Sequence, residues 1–320
     1  MKRILLLRPR GFCAGVVRAI DIVNIALDTF GPPIYVRKEI VHNRHVVDEL
    51  SARGAVFVDE CADVPVGARV IFSAHGVSPD VRRQARERSL QLIDATCPLV
   101  TKVHLEAVKF AREGHTIFLI GHRDHDEVIG TLGEAPERMV LVSTEEEAET
   151  VQVDDPERVS YLTQTTLSLD EAAGIISRLR RRFPDIQAPP AQDICYATEN
   201  RQRAVKAMSS RCDLLLVVGS ANSSNSNRLV EVARNSGLPG YLIEDERSIE
   251  MSWLESVETV AVTAGASAPE HLVQRVLSFL HQHQYSSLEE AEVIEEDVRF
   301  ALPPELVSAM ARPADRLVQL

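Results

Sequence analysis

The chain has 320 residues, 45% of them apolar and 26% charged, which exclude a largely disordered protein and allow two or three units of roughly 100–150 residues. Its formal charge of −12 disfavours nucleic acid and anionic lipid as partners, and no apolar run approaches the roughly 18–20 residues of a membrane span. A cytoplasmic protein is expected, and five cysteines in such a chain point to metal or redox chemistry rather than a disulfide framework.

The opening MKRILLLRPRGF turns polar after four apolar residues and reads as a first β-strand, ILLL at 4–7. Val16, Ile20, Val23 and Leu27 follow at helical spacing, and the run stops at Gly31-Pro32-Pro33. Strands are predicted at IYV (34–36) and VIF (70–72), a helix over 99–113 closing at Gly114, then strands at TIFLIG (116–121), VSYLT (159–163), LLLVVG (214–219) and TVAVTAG (259–265). Strand-like runs alternating with helical patterns predict an α/β protein with parallel sheets covered by helices.

One arrangement occurs three times: an extended stretch, a cysteine, then a helical segment. Cys13 precedes AGVVRAIDIVNIAL, Cys97 precedes PLVTKVHLEAVKFA and Cys195 precedes YATENRQRAVKAM. At a helix start, free backbone N–H groups and the positive end of the dipole favour a thiolate. On spacing alone, three such thiols could serve zinc or an iron–sulfur cluster, or be small buried hydrophobes. Cys212, beside LLLVVG, fits the buried reading, and Cys61 has no helical context of this kind.

Histidines and carboxylates gather in EIVHN (His42), SAHGVSPD (His75) and GHRDHDEV (His122, Asp124, His125, Asp126, Glu127). The last follows a predicted strand's carboxyl end, where α/β proteins place their sites. It reads as a solvated loop, a zinc site or a catalytic loop. GSANSSNSN (219–227) gathers hydroxyls, amides and backbone N–H groups before a helix, a phosphate cradle without lysine, or a capped Ser/Asn loop. Neither GxGxxG nor GxxxxGK[ST] is present.

Together, RGFCAGVVRAI, EIVHN, AHGVSP, DATCPLVTKVH, GHRDHDEVIGT, TQTTLS, DICYATENRQ, GSANSSNSNRL, TAGASAPE and EDVRFALPPEL closely resemble the 4-hydroxy-3-methylbut-2-enyl diphosphate reductase (LytB) family, in family order from residue 10 to 306. The resemblance implies three α/β domains with small, mostly parallel sheets in pseudo-threefold arrangement around one [4Fe–4S] cluster held by Cys13, Cys97 and Cys195. Domains are expected at 14–96, 97–194 and 195–281, with 1–13 and 282–320 completing the fold. The implied reaction is two-electron reductive dehydroxylation of an allylic diphosphate to isopentenyl and dimethylallyl diphosphate, the last step of the non-mevalonate pathway, with a ferredoxin- or flavodoxin-type electron donor.

Carried over by motif, His42, His75, His125, Ser223, Ser224, Asn225 and Ser267 would line the substrate's diphosphate pocket. Glu127 would supply protons and Thr165 would orient the departing hydroxyl. The family commonly has proline before this glutamate; here Asp126 stands there, expected to raise the pKa of Glu127 or to face solvent. No appended nucleic-acid-binding domain is expected. Two competing readings are a zinc hydrolase built on His122, Asp124, His125 and Asp126, and a catalytically silent phosphometabolite-binding protein.

Overall fold

The structure, a computed structural model, describes residues 2–311, so residues 312–320 of the expected terminal segment lie outside it. In chain order the first elements are β1 (Arg3–Arg8), α1 (Ala14–Phe30), β2 (Ile34–Arg37), α2 (Arg44–Ala52), β3 (Ala55–Val58), β4 (Arg69–Phe72), α3 (Pro79–Glu87) and β5 (Gln91–Asp94). Next come α4 (Pro98–Arg112), β6 (Thr116–Ile120), α5 (Asp126–Leu132), β7 (Met139–Val142), α6 (Glu145–Thr150), β8 (Val159–Thr163) and α7 (Leu169–Arg182). The last are α8 (Tyr196–Met208), β9 (Leu214–Val218), α9 (Ser224–Asn235), β10 (Gly240–Ile243), β11 (Thr259–Ala264), α10 (Glu270–Gln282), β12 (Ser287–Glu292) and α11 (Pro304–Ala311).

The strands form three sheets, ordered β3-β2-β4-β5, β7-β6-β8 and β10-β9-β11-β1-β12, in which every strand pair is parallel. All seven strands expected from apolar runs are present. The five missed are short or lie at sheet edges, and β12, SLEEAE, is mostly exposed and acidic, so no apolar run marks it.

Both faces of the central strands are covered, which is why they read as unbroken apolar runs and not as alternation. Ile4 and Leu6 of β1 pack in the core under α10, whereas Leu5 and Leu7 pack on the opposite face with α9. Helix α1 buries Val16, Ala19, Ile22, Val23, Ala26 and Leu27; Ile20, placed on that stripe by spacing, sits at its half-buried margin.

Beyond β12 the chain runs back across the molecule without regular structure to Pro304. This strap is fastened by Arg201, which is 1% exposed: its guanidinium donates to Glu296 Oε1 at 3.1 Å, to Gly11 O at 2.8 Å and to Ala197 O at 2.9 Å. Removing the buried guanidinium leaves the half-buried Glu296 carboxylate without its counter-charge and two backbone carbonyls without their donor. Arg201→Ala should therefore cost about 3–5 kcal/mol in denaturant unfolding, against about 1 kcal/mol or less for Arg8→Ala, whose pair with Glu290 is solvent-exposed.

Candidate active site and metal centre

In each sheet one pair of neighbouring strands marks the place where strand order reverses: β2/β4, β6/β8 and β9/β11. Connections leave such a pair in opposite directions, opening a crevice at the carboxyl ends. The loops after these six strands hold His42, His75, His125 with Glu127, Thr165, the 219–227 segment and Ser267. These residues, with Ser223, Ser224 and Asn225 of the 219–227 segment and the three cysteines, line a single cavity of about 110 Å³, several times the ~10–15 Å³ one water needs.

Cys13, Cys97 and Cys195 are the N-cap residues of α1, α4 and α8, and Pro98 occupies the first helical turn after Cys97. Cys195 Sγ accepts from Thr198 N at 3.4 Å and lies 3.1 Å from Thr198 Oγ1. The Tyr196 hydroxyl accepts from Ala14 N at 3.1 Å, fastening the start of α8 to the start of α1. Burial pushes the Cys97 thiol up to about 12 and the Cys195 thiol up to about 11, so thiolates here need a positively charged centre to stabilise them.

That centre is wider than one ion. Among the described residues, the group whose ligand atoms all lie within 4.8 Å of one another is His42, His75 and Asp126, not the thiols. Thiols set apart around a shared void fit a polynuclear iron–sulfur group better than a single zinc, whose sulfur ligands converge at about 2.3 Å. Space for it is kept by Gly15: a Cβ there would stand 2.8 Å from Cys97 Sγ and 3.8 Å from Cys13 Sγ.

Glu127, in the first turn of α5, is 3% exposed. Its Oε1 accepts from Thr165 N at 2.6 Å and its Oε2 from Thr165 Oγ1 at 2.8 Å. Burial outweighs these bonds and pushes the carboxyl up to about 7. Asp126 is not the main cause: its carboxylate stands beside the ring nitrogens of His42 and His75.

His42 and His75 stack with centroids 4.0 Å apart and planes 19° from parallel, and His125 meets them edge-on at 5.3 and 5.8 Å. A cation in the plane of one stacked ring is well out of the plane of the other, so these nitrogens do not converge on one ion. The Glu127 amide donates to His125 Nδ1 at 3.2 Å, and burial holds that ring down to about 3. Opposite, Ser223 caps α9 through Ser226 N, Ser224 Oγ donates to Thr166 O at 3.2 Å and Asn225 Oδ1 accepts from Ala266 N at 2.9 Å. Ser267 Oγ donates to His42 O at 2.9 Å.

The structure thus gathers all twelve sequence-selected site residues in one place. It does not gather the set expected for a zinc hydrolase. His122 Nδ1 lies 3.2 Å from Gln164 Oε1 and its Nε2 is 3.5 Å from Glu171, while His125 and Asp126 face the other histidines. Sequence reasoning missed Thr198, Tyr196, Thr166, Glu39 and Phe300. Only Thr198, three residues after a helix-capping cysteine, had a local signal.

A family model described as LytB protein matches residues 4–281. The chain belongs to the LytB family. It is 58% identical over 306 residues to the 4-hydroxy-3-methylbut-2-enyl diphosphate reductase of Acidothermus cellulolyticus, covering 95% of this chain and 90% of that one. It is 56% identical over 315 residues to the reductase of the same name from Leifsonia xyli, covering 98% and 94%. The solved E-1-hydroxy-2-methyl-but-2-enyl-4-diphosphate reductase of Plasmodium falciparum superimposes with a TM-score of 0.94 at 39% identity, over 97% of this chain and 98% of that one.

The glycine at the thiols gives a direct check. Gly15→Ala should remove most of the iron and acid-labile sulfide from anaerobically purified protein while leaving its far-ultraviolet circular dichroism unchanged.

Proposed function

We propose a division of labour for the reaction of this family, in which the chain reduces (E)-4-hydroxy-3-methylbut-2-enyl diphosphate to isopentenyl and dimethylallyl diphosphate. The observation that carries it is a buried carboxyl, Glu127, held at both oxygens by Thr165 on the wall of a thiol-lined cavity. The balance is simple: two electrons and two protons enter, the allylic C–O bond breaks, a C–H bond forms and water leaves. Cys13, Cys97 and Cys195 would hold one [4Fe–4S] cluster. When bound, that group would relay the two electrons of the external donor one at a time and, having only three protein ligands, would supply an iron able to act as a Lewis acid.

The rest belongs to the chain. Glu127, protonated up to about pH 7 because it is buried, delivers protons through Thr165 Oγ1, which is placed to orient the hydroxyl and pass the proton on. Protonation turns a poor leaving group into water. His42, His75, His125, Ser223, Ser224, Asn225 and Ser267 bind the diphosphate, with the α9 N-terminus adding backbone donors. Phe300, carried by the strap, adds an apolar side chain to the cavity wall.

The same reading divides the chain into units at 14–96, 97–194 and 195–281, the first starting just after Cys13 and the other two starting at Cys97 and Cys195, and completed by 1–13 and 282–320. It places the protein in the cytoplasm with a ferredoxin- or flavodoxin-type donor. No helix among the described residues is long and apolar enough to cross a membrane.

Two measurements test the roles. Cys97→Ser should lose the visible absorption and sulfide of the cluster, whereas Cys61→Ser, in the core beside β4, and Cys212→Ser, whose thiol faces Met208 O, should keep both. A Cys97→Ser protein with full cluster content would refute the ligand assignment. Glu127 must be protonated to act, so kcat should fall about tenfold per unit as pH rises above about 7. Glu127→Gln should keep the cluster, lose about 10²–10⁴-fold in kcat and show no such fall.

A further inference from the structure

The three imidazoles differ in what fixes their protons. A diphosphate oxygen only accepts hydrogen bonds, so each ring must present an N–H to it. His125 does so when neutral: its Nδ1 accepts from the Glu127 amide, which can only donate, and its proton therefore sits on Nε2. His75 can do the same, because its Nδ1 lies 3.3 Å from Ser73 Oγ, a hydroxyl able to donate. Burial and the neighbouring imidazoles hold His75 well below the usual histidine range, which keeps it neutral.

His42 is the exception. Its Nδ1 lies 3.2 Å from Glu39 Oε2, and a carboxylate only accepts, so the proton of the neutral ring is on Nδ1. Nε2, the nitrogen left to the cavity, then carries a lone pair that repels a phosphate oxygen. The same Glu39 oxygen accepts from Asn222 Nδ2 at 2.8 Å, so the carboxylate is pinned between the first sheet and the 219–227 loop of the third. These bonds, that from His42 foremost, hold Glu39 below the usual carboxylate range.

We propose that Glu39 is a positioning residue for the diphosphate: by fixing the Nδ1 proton of His42, it makes that histidine take up a second proton at Nε2 when the diphosphate binds. The inference rests on the assignment of His42 to the diphosphate and adds the charge state in which it works. The groups facing His42 agree with one positive charge there. Glu39 and Asp126 are carboxylates, His75 and His125 are neutral rings, Asn222 and Ser267 are uncharged, and Lys38 is paired with Asp59. Within a stack 4.0 Å apart, a second imidazolium would repel the first, so the uptake is one proton.

The test is anaerobic calorimetry of inorganic diphosphate binding to the cluster-loaded protein near pH 8, above the usual histidine pKa, in buffers of different ionisation enthalpy. Wild type should take up close to one proton more than His42→Gln, which also reports the ligand's own titration. Glu39→Gln, whose amide can donate to Nδ1 and leave a neutral Nε2–H, should lose that excess. In turnover it should raise KM roughly tenfold, the scale of one charge-assisted hydrogen bond, with kcat within about twofold.

Equal proton uptake by wild type and His42→Gln, with weaker binding by the variant, would overturn the inference and leave the diphosphate site standing. Equal affinity of the two would instead remove His42 from the site. Excess uptake retained in Glu39→Gln would overturn the role of Glu39. The comparison of wild type with His42→Gln reads the protonation even where Glu39→Gln fails to fold.

Discussion

Parallel pairing is what the rest of this structure depends on. A parallel strand cannot return by a hairpin, so each strand must be followed by a covering segment, and every carboxyl end in a sheet faces the same way. Where the order reverses, between β2 and β4, β6 and β8, and β9 and β11, two loops part and leave a crevice. Three sheets whose reversal points face one another turn three shallow crevices into one shared cavity. Helices α1, α4, α8 and α9 begin at its rim, so their unpaired N–H groups point where the proposed function would need thiolates and phosphate.

This arrangement explains how a protein of charge −12 accepts a dianionic or trianionic substrate. On the proposed assignment the donors are hydroxyls, amides, imidazoles and helix N-termini rather than a ring of lysines or arginines. Local dipoles fixed by the fold replace a general basic field, and they act in a partly dry space where they are stronger than in water. The same dryness holds Glu127 near neutrality, so binding and proton delivery have a common physical origin: water is kept out.

The parts of this design most legible in the sequence were those with one strong local cause. Seven strands are apolar on both faces and announce themselves as unbroken runs, and the cysteines stand immediately before helical patterns. Edge strand β12, SLEEAE, is mostly exposed and carries too little apolar sequence to be seen, whereas β3, AVFV, is apolar but only four residues long. Glu127 among its acidic neighbours became legible through resemblance, not through spacing. Glu39 and Asp126 show the limit most clearly: both look like solvated loop carboxylates, and only folding brings them to the histidines. The zinc reading failed for the same reason, since adjacent residues in GHRDHDEV turn towards different partners.

The chain's early and late segments meet in the third sheet, where β1 lies between β11 and β12, and Glu296 reaches the Arg201 that also grips Gly11. This sets an order of events during synthesis. Cys13 leaves the ribosome early, yet the strand that positions it has no neighbours until β11 and β12 have been made. The thiol-lined cavity is therefore assembled only after the third cysteine-capped helix and most of the chain have emerged. Any group these cysteines hold would be loaded into a nearly finished protein, and a translation product halted before β12 carries all three cysteines without the complete sheet that positions Cys13.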